Sequence, residues 1–365
     1  MLPRIALTLG DVAGIGPEVV ARACNDAVLA TVCRLVVVGN PDVLRRAIGL
    51  IGADFQVRPI SDIVSDRGPM GRGAIDCWNP AGDEAARVPP GNNDPRSGRA
   101  AFEYLVAAAR AAVAGQIDAI TTAPLSKKAL HLAGLNYPGH TEILAEVCDI
   151  HDFAMMLYLP GIRWPPGTRQ QQARPHSLAV VHATLHTSIR SVPELLTSPL
   201  IQQKVGLVDR FLKHTGCAAP RIAVCALNPH AGEDGLFGDE EIQTIAPAVK
   251  SAAATGISVV GPLPADTLFK RACSGEFNGV VAMYHDQGHI ALKLVGLDRA
   301  VNVTLGLPIV RTSPSHGTAF DIAWRGAARA EGMIEAIRVA ALLAKRPSSR
   351  GPQAHQVRDL ANAPH

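Results

Sequence analysis

Three histidines follow short apolar runs rich in β-branched residues: His186 in TLHTS, His230 in LNPHAGE and His285 in MYHDQG. Imidazole nitrogens suit Zn²⁺ and related divalent ions, and three protein ligands leave a coordination position for a substrate oxygen. In open α/β sheets ligands bind beyond the carboxyl ends of the strands, so histidines placed there can converge on one metal. Each of them also suits a hydrogen-bonded structural position, because buried polar groups generally find protein partners. The spacings are too long to decide between the two. His182, inside its apolar run, is assigned to the structural role.

A second group of residues suits anions. Lys293 lies between Leu292 and Leu294, Asn302 lies in VNVTL, and Arg311 follows Ile309 and Val310. Cations in such apolar contexts line a pocket more readily than a solvated face, and arginine can grip a carboxylate or phosphate with two parallel bonds. His140 and Thr141 in YPGHTE can bind an anion or simply start a helix. The turn LGDVAGIGPE, with Gly14 and Gly16, allows close backbone approach at a helix N-terminus, where anions are favoured; a plain tight turn has the same spacing. In SHGTAFDIA, His316, Gly317 and Thr318 can let a nucleotide approach while Asp321 reaches a ribose hydroxyl, or the segment is a capped helix start.

The elements that must position these residues alternate. Strands are predicted at Ile5–Leu9, Leu35–Val38, Ala119–Thr122, Leu178–His182, Ile222–Ala226 and Val280–Met283. Between them, Phe102, Leu105, Val106, Ala109 and Val113 share one face of a helix that Gly115 would end. Further helices are predicted at about 200–215 and 239–255. This is the pattern of an α/β protein with a largely parallel sheet. Asn79–Arg96 and Pro160–Pro175 are rich in proline and polar residues and read as long loops, and the tail from Arg346 as disordered.

The 365 residues are 47% hydrophobic and 18% charged, enough for a large core in two lobes. A net charge of +3 from interspersed signs marks no nucleic-acid surface. Seven cysteines without a C-x-x-C pair read as reduced and mostly structural. No stretch approaches the roughly 20 apolar residues of a membrane span, and none has the form of a signal peptide, so the cytoplasm is the expected compartment.

GHTE, LNPHAGE, GPLPADTLF, MYHDQG and NVTLGLPIVRTS followed by HGTAFDIA, in this order, resemble the 4-hydroxythreonine-4-phosphate dehydrogenase family over nearly the whole chain. The resemblance implies a two-domain α/β/α fold similar to isocitrate and isopropylmalate dehydrogenases. On that pattern one domain comprises residues 1–122 with 305–350 and the other 123–304. It further implies a homodimer with shared active sites, each in the interdomain cleft. Carried over by position, it implies metal ligands at His186, His230 and His285, holding Zn, Mg, Mn or Co. Substrate would be bound by His140, Thr141, Lys293, Asn302 and Arg311. NAD or NADP would lie near Gly14, Gly16, His316, Gly317, Thr318 and Asp321. Lys127 and Asp266 fall in matching motifs and are open to proton transfer or to structural salt bridges.

The implied reaction oxidises a secondary alcohol near a carboxylate, which then leaves as carbon dioxide. The substrate is a 4-phosphorylated hydroxy acid such as 4-phosphohydroxythreonine. LGDVAGIGPE and HDQGHIALK look more like a paralogous branch, and VHATLH resembles enzymes oxidising the cis-dihydrodiol of terephthalate. A non-catalytic nucleotide- or metal-binding protein on the same fold is the reading of another class.

Overall fold

The computed structural model describes residues 2–64, 73–162 and 176–345. The tail from Arg346 and most of the Pro160–Pro175 segment, from residue 163 onward, lie outside the described residues. The chain divides into two compact units. Unit 1 takes the described parts of 1–153 and 306–365, and unit 2 takes those of 154–305.

Unit 1 begins with β1 (Arg4–Thr8), α1 (Gly16–Cys24), α2 (Leu29–Val32), β2 (Arg34–Val38), α3 (Pro41–Leu50), β3 (Gln56–Ile60) and β4 (Ala74–Trp78). It continues with α4 (Pro95–Val113), β5 (Ala119–Thr122), α5 (Lys127–Leu132) and α6 (His140–Val147). Unit 2 opens with β6 (Ala154–Ile162), β7 (His176–His182), α7 (Val192–Leu195), α8 (Ser198–His214), β8 (Ile222–Cys225) and α9 (Ala246–Ala254). It is completed by β9 (Val259–Leu263), α10 (Ala265–Cys273), β10 (Gly279–Ala282), α11 (His285–Gly296) and β11 (Val301–Leu305). The chain then returns to unit 1 for β12 (Arg311–Pro314) and α12 (Glu331–Ala344).

In unit 1 the strands run β3-β4-β2-β1-β5-β12, all parallel. The central strands β1, β2 and β5 are buried almost throughout, as parallel strands covered on both faces must be. In unit 2 the order is β11-β6-β7-β10-β8-β9; β7, β10, β8 and β9 are parallel, while β6 runs antiparallel to both its neighbours. The α/β expectation is met, and all six predicted strands are present. Six others escaped the pattern. Strands β3 and β9 are edge strands, and each carries a proline and is partly exposed, as such strands are. Strand β12, Arg-Thr-Ser-Pro, is polar yet buried at every position.

Helix α4 shows how local sequence sets an element. The Asp94 carboxylate accepts the Arg96 amide at 2.8 Å, Pro95 supplies a preset first turn, and Gly115 at φ +69° follows the last turn. The helix thus begins inside the predicted Asn79–Arg96 loop, which also contains a 3₁₀ turn at Asp83–Arg87. Helices α5 and α6 pack against α4. The unit boundary therefore falls after residue 153, whereas the sequence reading placed it after residue 122.

The α4–α5 contact is close. A Cβ at Gly98 would lie 2.1 Å from the Ala129 carbonyl oxygen, which is backbone and cannot turn aside. We expect Gly98→Ala to force the helices apart and destabilise the protein by about 1–3 kcal/mol, as overpacking does. Urea unfolding checks this, and an unchanged midpoint would show that the contact is loose.

Candidate active site

In unit 1 three of the residues expected to bind an anion, His140, Thr141 and Arg311, lie on α6 and β12. Arg311, the first residue of β12, is buried, and its Nη2 donates to Thr122 Oγ1 at 2.7 Å. Burial lowers the guanidinium to about 10, with Glu142 offsetting part of the effect, so the group stays charged at neutral pH. His140 opens α6, and its Nε2 lies 3.2 Å from the Ala123 carbonyl. Burial, and then the Arg311 charge, hold this imidazole well below 6.5. It is therefore neutral, and because a carbonyl only accepts, Nε2 carries the proton and Nδ1 is left as an acceptor. Thr141 is partly buried beside it in the chain.

The two segments expected near a cofactor also meet in unit 1. Ile15 N–H donates to the Thr318 carbonyl at 3.0 Å, and a Cβ at Gly14 would come within 2.8 Å of that same oxygen. The Gly16 position is equally close to Leu9. Both glycines thus have a packing role that the sequence does not disclose. Trp324, at φ +60°, ties the far end of the loop to Val12 through Nε1. Gly317 faces open space and Asp321 is exposed, while the buried Nε2 of His316 has no hydrogen-bond partner. An open backbone, an accessible carboxylate and an orphaned ring nitrogen fit a nucleotide's hydroxyl and phosphate groups.

In unit 2 the strand ends carry imidazoles. His186 and His285 lie 5.9 Å apart between ring centroids, beside a pocket of about 440 Å³ lined also by Thr187, Ser188, Tyr284 and Asp286. His285 Nδ1 is 2.7 Å from Asp286 Oδ1, leaving Nε2 as its second face. A carboxylate on the other ring nitrogen is the usual setting of a metal-bound histidine.

His230 likewise has Glu233 on its Nδ1, at 3.2 Å, and is exposed. Five consecutive residues there, His230 to Asp234, have φ between 45° and 80°. Left-handed backbone costs non-glycine residues roughly 1–2 kcal/mol each, and such strain collects at functional sites. Buried Glu241 anchors the turn, accepting from Leu227 N–H at 2.7 Å, Asn228 N–H at 2.8 Å and Asn228 Nδ2 at 3.0 Å. Neither the strain nor its anchor can be read from the sequence.

His186 and His285 are near neighbours, and Asp286 occupies Nδ1 of His285 and leaves its Nε2 side, so the pair fits two positions around a divalent ion. Among the described residues no three His, Cys, Asp or Glu side chains lie close enough to hold one, so His230 does not stand with the other two.

The remaining residues are spread along these elements. Asn302 on β11 has a buried Oδ1 without a hydrogen-bond partner, and Lys293 is partly buried on α11, two turns beyond His285. Lys127 and Asp266 are both exposed, each in the first turn of its helix, and Asp266 Oδ1 accepts the Thr267 amide. Sequence reasoning missed one group, His289. His289 and the already noted His182 form a buried pair behind His285. Burial lowers His182 to about 3 and His289 to about 4, so both are neutral at pH 7. The spacing His285, His289, Lys293, four residues at a time along one helix face, is the signal that could have found His289.

A family model described as pyridoxal phosphate biosynthetic protein PdxA matches residues 31–340. The chain belongs to the PdxA family. The D-threonate 4-phosphate dehydrogenase of Salmonella typhimurium is 42% identical over 342 residues, covering 93% of this chain and 98% of that one. A crystal structure of a PdxA-family protein, the 4-hydroxythreonine-4-phosphate dehydrogenase of Klebsiella pneumoniae, superposes with a TM-score of 0.80. It is 42% identical and covers 94% of this chain and 99% of its own. The terephthalate 1,2-cis-dihydrodiol dehydrogenase of Burkholderia xenovorans is more distant, at 30% identity and a TM-score of 0.62, with 94% and 98% covered.

Asp11, in the glycine-rich opening turn, is fully buried, and burial pushes its carboxyl up to about 6 against a hydrogen bond from the Ala13 amide. The folded state therefore holds this proton more tightly than the unfolded state. The contribution is full below 3.8 and is lost as pH rises through about 6, a difference of about 3 kcal/mol. Asp11→Asn should raise the thermal midpoint at pH 8 and not at pH 3.5. Equal shifts at both pH values in a melting series would rule out a buried, proton-holding Asp11.

Proposed function

We propose that this PdxA-family chain is a dehydrogenase that oxidises the secondary alcohol of a four-carbon, 4-phosphorylated hydroxy acid, with D-threonate 4-phosphate or 4-hydroxythreonine 4-phosphate as substrate. The observation that carries this reading is the buried Arg311 guanidinium beside a neutral His140, a pairing suited to a phosphate dianion. The 42% identity to enzymes named for such substrates, against 30% to the dihydrodiol enzyme, favours the phosphorylated acid.

In this reading Arg311 takes the phosphate, and Thr141 adds a hydroxyl donor. His140 accepts a substrate hydroxyl hydrogen at Nδ1. Lys293 and Asn302 orient the carboxylate and the alcohol, and Lys127 and Asp266 are the proposed proton-transfer groups. His186 and His285 would hold a divalent ion, and His230, the proposed third ligand, would join them only by moving from its place in this structure; such an ion supplies Lewis acidity toward the alcohol oxygen and the ketone it becomes. Gly317 and Asp321 would face an NAD or NADP, which accepts the hydride. Oxidation of the alcohol on the carbon β to the carboxylate yields a β-keto acid, whose carboxylate leaves as carbon dioxide while the bonding pair passes into an enolate that takes up a proton.

The test follows NAD(P)H absorbance with the two phosphorylated acids and terephthalate cis-dihydrodiol, with Zn²⁺, Mg²⁺, Mn²⁺ or Co²⁺ supplied. We expect turnover with a phosphorylated acid. We also expect Arg311→Lys to lower kcat/KM about 10- to 100-fold, mainly through KM, because a fork of donors is replaced by a point charge. No NAD(P)H from any substrate would favour the non-catalytic reading, and turnover of the dihydrodiol alone would move the assignment to that branch.

No described helix is long and apolar enough to cross a membrane. Ile290, Leu294 and Leu297, on α11 and just beyond it, are exposed in a stripe, with Leu294 83% accessible. That stripe supports a homodimer. Sedimentation should give a dimer mass for the wild type and a monomer for Leu294→Glu; a monomeric wild type would end the dimer proposal.

A further inference from the structure

Behind the candidate metal-binding face of unit 2 lies a stack of three imidazoles. The His289 ring lies on that of His285, 3.8 Å between centroids and only 10° from parallel. On its other side, His289 Nδ1 is 3.0 Å from Nε2 of His182, at the end of β7. Both His182 and His289 are buried, at 0% and 7% exposure, so neither exchanges its partner for water. A hydrogen bond between two imidazoles needs a proton on one facing nitrogen and a lone pair on the other, which fixes the rotation of both rings. The backbone makes room for the pair. A Cβ at residue 288 would lie 2.5 Å from His182 Nε2 and 2.8 Å from Val180 Cγ1, and residue 288 is glycine.

His285 is thus held on two sides. Asp286 takes its Nδ1 at 2.7 Å, and the flat face of His289 limits how far its ring can turn. We propose that His289, fixed by His182, is a positioning residue that holds the His285 ring so that Nε2 faces a divalent cation. The inference rests on the reading of His285 as a metal ligand. Groups that orient a ligating histidine contribute to metal affinity without touching the ion.

Binding of Zn²⁺ to metal-free protein tests this, by competition with a chromophoric chelator well below each variant's metal-free unfolding midpoint. His289→Gln keeps a donor for His182 but removes the stacked ring, and His289→Leu removes both. Both variants should bind Zn²⁺ about 10- to 100-fold more weakly, with the d–d absorption of bound Co²⁺ altered in the same samples. Loss of packing alone would lower the unfolding midpoint and leave affinity and spectrum unchanged. Either folded variant binding as tightly as the wild type, while His285→Ala loses binding, overturns the positioning role and leaves the metal site standing. If His285→Ala itself binds as the wild type does, the metal reading fails and takes the inference with it.

Discussion

Placing the Arg311 guanidinium inside unit 1 constrains everything around it. A buried cation needs polar surroundings, and strand β12 supplies them with a sequence that no hydrophobic pattern would select. Thr122 accepts from the guanidinium, while on the neighbouring strands Thr312 Oγ1 donates to the Ala336 carbonyl and lies 3.0 Å from Thr121 Oγ1. Thr121, Thr122 and Thr312 are thus engaged with one another, with Arg311 or with the helix α12. Burial, with the positive charge adding to it, keeps His140 a neutral acceptor beside Arg311. One buried cation thus bears on the strand beside it, through Thr122, and on the opening of α6, through His140.

Unit 2 meets the same demand with neutral groups. Strand β7 ends in His182, His285 follows β10 closely, and burial keeps His182 and His289 uncharged. Uncharged rings stack and share a hydrogen bond where charged ones would repel each other and any nearby cation. The turn at His230 carries a different cost, a run of left-handed residues that local preference opposes. It is tied down by the buried carboxylate of Glu241, whose hydrogen bonds to two backbone amides and a side-chain amide offset part of that strain. Strain kept in place by a dedicated anchor marks a segment whose conformation matters more than its stability.

Close backbone approach recurs in unit 1. Gly14 against Thr318 and Gly98 against Ala129 each bring two main chains nearer than any side chain allows. The first of these joins the opening turn to the loop after β12, so segments 300 residues apart in sequence share one surface. Their glycines serve that contact directly, whatever they do for a ligand.

The amino-acid order alone determined the α/β class, the six strands with strong apolar runs, the end of α4 and the extent of α8, and the family. These depend on short-range periodicity, capping residues and exact motifs, all of which are local. It also singled out Arg311, His140, His186 and His285, because charged and titratable residues stand out against apolar neighbours. The tertiary structure decided what local pattern cannot carry. Polar β12 is a strand because its pairing partner and covering helix satisfy the Thr312 hydroxyl, and β6 reverses direction because of the strands it joins. The boundary at residue 153 follows from the packing of α5 and α6 on α4. His182, read as a structural core histidine, proved to be so only together with His289, 107 residues away. Spacing could suggest three histidines at strand ends, but only the folded chain brings His186 close to His285 and leaves His230 apart. Distances between strand ends depend on sheet order and turn conformation, neither of which is written in the local sequence.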